Sequence, residues 1–170
     1  MKNISRVIVA AILVAGVAAC AKKNTKPAPP VEEAPVTTTT QGTETMGKYT
    51  RESLDTDSCL RQRVVYFDLD QTVIKPEFQA QIACHAAYLR QFPEARVRLE
   101  GNADERGSRE YNLGLGERRG NAVSDALQAN GGSASQLEVI SYGKEKPVCR
   151  EHNEDCWSKN RRVEIVYTAQ

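Results

Sequence analysis

The sequence predicts an α/β (α+β) sandwich over residues 51–170, with a mixed sheet and two helices on one of its faces. Three observations carry that prediction. Runs of β-branched or alternating apolar residues recur at residues 63–68, 96–101, 137–141 and 162–167. Two longer segments between the first three runs either repeat apolar residues every three to four positions or end on helix-stopping glycines. The resulting order, β-α-β-α-β-β, contains two strand-helix-strand units, which imply parallel pairing with right-handed crossovers. The short last strand is expected to add antiparallel.

The first run, Arg63-Val64-Val65-Tyr66-Phe67-Asp68, is dense in β-branched and aromatic residues and reads as a buried strand. A helix opens near Lys75-Pro76, since proline suits a first helical position. Phe78, Ile82, Ala86 and Leu89 give it one apolar face, and Pro93 closes it. In the second strand Val97 and Leu99 alternate with Arg96, Arg98 and Glu100, as expected when one face is buried and the other wet. A loop over residues 102–108 leads into a second helix, about Arg109 to Asn130, stopped by Gly131-Gly132 in the position of a C-terminal cap. The strand from Leu137 to Ser141 and the strand from Arg162 to Tyr167 flank a long loop.

The chain before this domain has a different composition. Lys2 and Arg6 precede an apolar run, Val7 to Val17, which is shorter than the ~20 residues that span a bilayer and reads as a secretory signal over residues 1–19. Val17-Ala18-Ala19-Cys20 resembles the lipobox of bacterial lipoproteins, which implies cleavage before Cys20 and lipid on that cysteine. The alternative is an ordinary secreted protein in which Cys20 is incidental. Residues 20–50 hold Pro27, Pro29, Pro30 and Pro35 among Thr, Ala and Lys, with almost no large apolar side chain, and are expected to form a disordered tether. A flexible coil of that length averages ~30 Å end to end. Ala21 follows Cys20 where aspartate would mark retention at the inner membrane, so the lipoprotein sorting rule implies the outer membrane, with the domain in the periplasm. Removing Lys2 and Arg6 from the 23 basic side chains leaves 21 against 22 acidic ones, and nothing in that balance points to nucleic acid.

Export into an oxidising compartment makes Cys59, Cys84, Cys149 and Cys156 disulfide candidates with three possible pairings. Cys149 and Cys156 enclose a short polar loop and are paired on that ground. Cys59 with Cys84 follows by elimination, the alternative being a buried Cys84 thiol on the first helix. The spacing Cys149, His152, Cys156 also resembles a zinc ligand set, but only three ligands are visible. No metal or cofactor is expected.

Two motifs compete for the function. Val64-Val65-Tyr66-Phe67-Asp68-Leu69-Asp70-Gln71-Thr72 resembles the Asp-x-Asp-x-Thr signature of haloacid-dehalogenase-type phosphatases, whose first aspartate is a nucleophile. That chemistry needs a later acidic pair after a strand, to hold magnesium. Here the only later pair, Glu154-Asp155, lies in the cysteine loop. The second motif is longer. Gly101-Asn102-Ala103-Asp104-Glu105-Arg106-Gly107 is followed by Glu110-Tyr111-Asn112, Leu115-Gly116-Glu117-Arg118-Arg119, Ser141-Tyr142-Gly143-Lys144 and Lys159-Asn160-Arg161-Arg162-Val163-Glu164. Here the chain resembles the OmpA-like peptidoglycan-binding domains, and within them the lipoprotein branch that works with the Tol proteins. The resemblance runs from about Val64 to Tyr167 and absorbs Phe67-Asp68-x-Asp70 as well, which makes a non-enzymatic binding module the leading reading.

The resemblance implies a ligand, the diaminopimelate of the peptidoglycan stem peptide, and partners, TolB and other Tol proteins, in envelope integrity and cell division. An OmpA-like lipoprotein outside the Tol system is the alternative. Diaminopimelate presents an ammonium and a carboxylate together, so its site needs an anion and a cation a few ångströms apart. Asp104, in the loop at the carboxyl end of the second strand, and Arg119, on the second helix, are the candidates. Asn112, Leu115 and Arg119 recur at spacings of three and four and share a helix face. The plain alternative leaves Asp104 and Arg119 solvated or paired only with each other. Phe67 is expected as a floor of the site or as plain core, Asp68 as a helper acceptor, Arg106 as a ligand contact or a brace of the loop, and Tyr111 equally as a ligand contact or a packing residue. Two departures from the family pattern stand out. Asn102-Ala103 replaces the usual His-Thr, and Gly120 stands where alanine is usual, at ~1 kcal/mol of helix propensity.

Overall fold

The computed structural model describes residues 48–170. The signal segment, Cys20 and nearly all of the tether lie outside the described residues. The elements are α1 (Ser53–Thr56), β1 (Val64–Tyr66), a 3-10 turn (Pro76–Phe78) leading into α2 (Gln79–Gln91), β2 (Arg96–Asn102), α3 (Arg109–Ala129), a 3-10 turn (Ala134–Gln136), β3 (Leu137–Gly143), α4 (Glu154–Asn160) and β4 (Arg162–Ala169).

All four predicted strands and both predicted helices are present, but the sheet is wired differently from the expectation. Its order is β1-β4-β2-β3, and only β2 and β3 pair parallel. β4 lies between β1 and β2, antiparallel to both, so the first strand-helix-strand unit does not pair its own strands. The last strand is also the longest, with eight residues. Val163 and Ile165 are fully buried, and a strand with that much apolar surface is best placed at the centre of a sheet.

Val65, Val97, Leu99, Val163 and Ile165 point to one face, where they meet Ile82, Ala86 and Leu89 of α2 and Val123 and Leu127 of α3. The buried positions of α3 run Asn112, Leu115, Gly116, Arg119, Gly120, Val123, Ser124, Leu127, a stripe at alternating steps of three and one. Two glycines on that stripe bring the helix close to the sheet. Gly116 lies against the backbone of Gly101, and Gly120 against Val139. Ser108 caps the start of α3 by accepting from Tyr111 N at 3.1 Å. Gly131, at φ 95°, turns the chain at its end, as the sequence predicts.

β1 stops at Tyr66, earlier than predicted, because the next carbonyls have other partners. Arg161 Nε donates to Phe67 O and Arg119 Nη2 to Asp68 O. The short helices α1 and α4 were not predicted. Asn153 caps α4 by accepting from Cys156 N, and Glu154 and Asp155 occupy its first turn, where acidic side chains suit the helix dipole.

Both disulfides are formed, Cys59–Cys84 and Cys149–Cys156. The zinc alternative is therefore corrected: both sulfurs it needed are bonded to each other, and His152 binds Glu105 instead. The Cys59–Cys84 bridge ties the entry segment to α2 across a separation of 25 residues. Chain entropy gives a loop of that length roughly 3.5 kcal/mol of stabilisation. The Cys59→Ser/Cys84→Ser double variant is expected to lose stability on that scale in urea unfolding, while an unchanged midpoint would contradict a stapling role.

His85 is buried without charge. Its Nε2 faces Gln62 O and its Nδ1 faces Tyr167 Oη, each at 2.9 Å, so Nε2 carries the proton and Nδ1 accepts. Burial, reinforced by nearby Arg63, holds its pKa below the usual 6.5 despite the carbonyl of Gln62. A depressed folded-state pKa means that the unfolded chain takes up the proton first. The stabilisation is full above 6.5 and is lost as the pH falls through the folded value. The urea midpoint should drop between pH 7 and pH 5, and His85→Gln should flatten that drop. A variant with the wild-type pH dependence would rule His85 out as the cause.

Candidate functional site

At the carboxyl end of β2 the chain turns out of the sheet into a cleft of about 300 Å³. Its lining includes Asp104, Arg106, Asn112, Leu115 and Arg119, five of the seven peptidoglycan-site residues read from the sequence. It also includes Leu69, Asp70, Tyr111 and Arg161, which were not assigned to the site.

Ala103 N donates to Gly143 O at 2.7 Å, which fixes where the loop leaves the sheet. Asp104 is buried, and all of its acceptor positions are occupied. Oδ1 accepts from Arg106 N and Nε, each at 3.1 Å, and Oδ2 accepts from Arg106 Nη2 at 2.6 Å and from Arg161 Nη1 at 3.3 Å. A carboxylate has about four lone-pair sites, so this one is saturated. Burial raises its pKa, but the bonds from Arg106 and Arg161 outweigh that and hold it below the ordinary aspartate value.

Arg119 is fully buried and its guanidinium lies over the Phe67 ring at 5.3 Å. It meets backbone carbonyls only. Nε donates to Gln71 O at 2.9 Å, Nη1 to Asn102 O at 2.9 Å and Nη2 to Asp68 O at 3.0 Å. One side chain thus ties β2 to the 68–71 loop. Burial first, and repulsion from Arg161 second, push its pKa down to about 10, so it keeps its charge at neutral pH. Three of its N–H groups are used, which leaves two of the five that a guanidinium carries.

The plain alternative, in which Asp104 and Arg119 pair only with each other, does not hold. Both line the cleft, but each is held by other groups, Asp104 by Arg106 and Arg161 and Arg119 by carbonyls. Glu154, on α4, pairs with Arg161 and approaches Arg106 at 3.8 Å. Asp104 and Glu154 offset Arg106 and Arg161, and Arg119 remains the buried cation without a carboxylate. At the mouth Asp70, at φ 56°, accepts from Tyr111 Oη, so Tyr111 borders the cleft and is not core.

The other assignments divide. Phe67 is 1% exposed, and it is both core and the platform under Arg119. Asp68 is a correction: its carboxylate pairs with Lys75 at 2.7 Å in a neighbouring groove, and only its backbone carbonyl serves the site. Asp68 and Asp70 of the Asp-x-Asp motif line different cavities. Arg106 braces the loop, with its own carbonyl accepting from Asn112 Nδ2 at 2.8 Å. Trp157 stacks on the Arg106 guanidinium at 4.2 Å and donates to Glu105, which also binds His152. Arg161 and Trp157 lie far along the chain, and the sequence signal for Arg161 was only its place in the Lys-Asn-Arg-Arg motif.

The mixed sheet with two helices on one face, and the charged cleft at one end of it, can be placed by comparison with known proteins. Residues 66–161 match the model of the OmpA family. The peptidoglycan-associated lipoprotein of Pseudomonas aeruginosa is 47% identical over 114 residues, 66% of this chain and 67% of that one. The protein of the same name from Pasteurella multocida is 45% identical over 107 residues, 63% of this chain and 71% of that one. Among solved structures, the peptidoglycan-associated lipoprotein of Burkholderia pseudomallei superposes with a TM-score of 0.66 at 44% identity, covering 68% of this chain and 98% of that one. The C-terminal domain of Helicobacter pylori MotB shares the fold, with a TM-score of 0.58 at 22% identity over 63% of this chain and 84% of that one. The chain belongs to the OmpA family, among its peptidoglycan-associated lipoproteins.

Proposed function

We propose that the chain binds the diaminopimelate of the peptidoglycan stem peptide without covalent chemistry and, through lipid on Cys20, ties the outer membrane to the cell wall as part of the Tol–Pal system, with TolB and other Tol proteins as partners. The observation that carries the site is Arg119, a buried cation facing the cleft with two N–H groups unspent and no carboxylate of its own. A ligand carboxylate completes that charge balance.

The ammonium takes the place that Arg106 occupies on Asp104. Arg106 is the more exposed of the two arginines on Asp104, with a side chain 34% accessible against 6% for Arg161. It is therefore the one that swings aside, and Arg161 keeps Asp104 oriented. Each charge-assisted bond contributes about 1.5–3 kcal/mol, so affinity for a single stem peptide is moderate. On this reading the domain is not an enzyme. The tether of residues 20–50 gives reach, and the membrane contact is made by the lipid.

Purified protein is expected to sediment with isolated cell-wall sacculi, to be released by free diaminopimelate, and to lose at least tenfold in affinity in Asp104→Asn. Undiminished sedimentation of that variant would overturn the site assignment. Capture of TolB in a separate pull-down tests the Tol partnership.

A further inference from the structure

Next to the cleft, on the other side of Arg161, lies a second cavity of about 230 Å³. Tyr66 forms its exposed aromatic wall, the backbone of Phe67 lies beside it, and Asp68, Lys75, Ser158 and Lys159 complete it. Arg161 lines both cavities, and its Nε bond to Phe67 O fixes that shared wall. The charges of the groove are easily assigned. Lys75 is neutralised by Asp68, and Arg161, together with Arg106, by Asp104 and Glu154. Lys159, in the last turn of α4, makes no ion pair among the described residues. The groove therefore carries one unspent positive charge beside an aromatic surface.

We propose that this groove is a second anionic subsite, in which Lys159 receives another carboxylate of the same wall peptide that places its diaminopimelate in the cleft. The inference rests on the proposed function. A zwitterionic residue anchored at Arg119 is flanked by peptide, and one extended residue reaches ~3.3–3.6 Å, so a few bonds carry the chain past Arg161. A neighbouring residue joined through its side-chain carboxyl keeps its α-carboxylate free, and that group finds Lys159 while the peptide stem lies along Tyr66. The ammonium of Lys75 stays with Asp68 and offers little. The groove thus distinguishes a peptide with a free neighbouring carboxylate from one in which that group is amidated, a selectivity that the cleft alone does not give.

Calorimetric titration separates the two sites. Three ligands are compared on the purified protein: diaminopimelate alone, a tripeptide ending in diaminopimelate whose preceding residue is a glutamate joined through its γ-carboxyl so that its α-carboxylate is free, and the same tripeptide with that α-carboxylate amidated. The free-acid tripeptide should bind about three- to fivefold more tightly than the amide, the size of an exposed ion pair. That difference should disappear in Lys159→Gln and persist in Lys75→Gln, with affinity for diaminopimelate alone unchanged in Lys159→Gln. Equal affinity of the two tripeptides for the wild type, or a difference that survives Lys159→Gln, would overturn the subsite while leaving the cleft reading intact. Failure of all three ligands to bind would instead sink the cleft reading.

Discussion

Arg119→Ala is expected to cost about 3 kcal/mol or more of folding stability in addition to abolishing ligand binding. The side chain is 0% exposed and bonds to three carbonyls from two segments, Asp68 and Gln71 on one and Asn102 on the other. Removing it leaves the buried acceptor Asn102 O unpaired, at about 1–3 kcal/mol, and two partly buried ones, Asp68 O and Gln71 O, which water entering the cleft can in part satisfy. It also opens a cavity under the 68–71 loop beside Phe67. Arg119→Lys keeps the charge, but an ammonium has no planar fork to span the three carbonyls, so it should recover only part of the loss. Urea unfolding of the wild type and both variants measures this. An alanine variant as stable as the wild type would show that the carbonyl contacts do not hold the loop.

Gly101→Ala is expected to be more damaging than any other single methyl added to the sheet. A Cβ at Gly101 would overlap the carbonyl oxygen of Gly116 and stand 2.6 Å from its carbonyl carbon, and that backbone belongs to a helix that cannot retreat without leaving the core. Overpacking typically costs 1–3 kcal/mol, and a clash between two backbones belongs at about 3 kcal/mol or above. Gly120→Ala is the informative contrast. Its Cβ would approach Val139 Cγ1 at 2.5 Å, an atom on a side chain that can shift. The ~1 kcal/mol of helix propensity gained from alanine works against that strain. Gly101→Ala should unfold at markedly lower urea concentration, while Gly120→Ala should stay close to the wild type. Equal midpoints for the two would mean that the α3–β2 approach is looser than described.

The elements of this domain were legible in the sequence because each carries its own local signal. Alternation marks β2, glycines mark the end of α3, and Pro76 marks the entry to α2. Strand order was not legible. Alternation fixes which face of β4 is buried, not which strands flank it, and the position between β1 and β2 depends on apolar surface summed over the whole sheet. The cleft was legible as a list of residues and not as a set of bonds. Spacing places Asn112, Leu115 and Arg119 on one helix face, but it does not reveal that carbonyls from Asp68, Gln71 and Asn102 converge there. Arg161 was missed for a related reason. It lies 57 residues from the aspartate it serves, at the junction of α4 and β4, and α4 itself was hidden in what reads as a polar cysteine loop.

The central claim is that Asp104 and Arg119 together recognise a zwitterion. Titration of meso-diaminopimelate and of 1,5-diaminopentane into the wild type and Asp104→Asn tests it most directly, because the diamine carries both ammonium groups but no carboxylate for Arg119. Diaminopimelate should bind the wild type, the diamine should bind at least tenfold more weakly, and Asp104→Asn should lose diaminopimelate while keeping its fold. Equal binding of the diamine and diaminopimelate, or full diaminopimelate affinity in Asp104→Asn, would contradict the account.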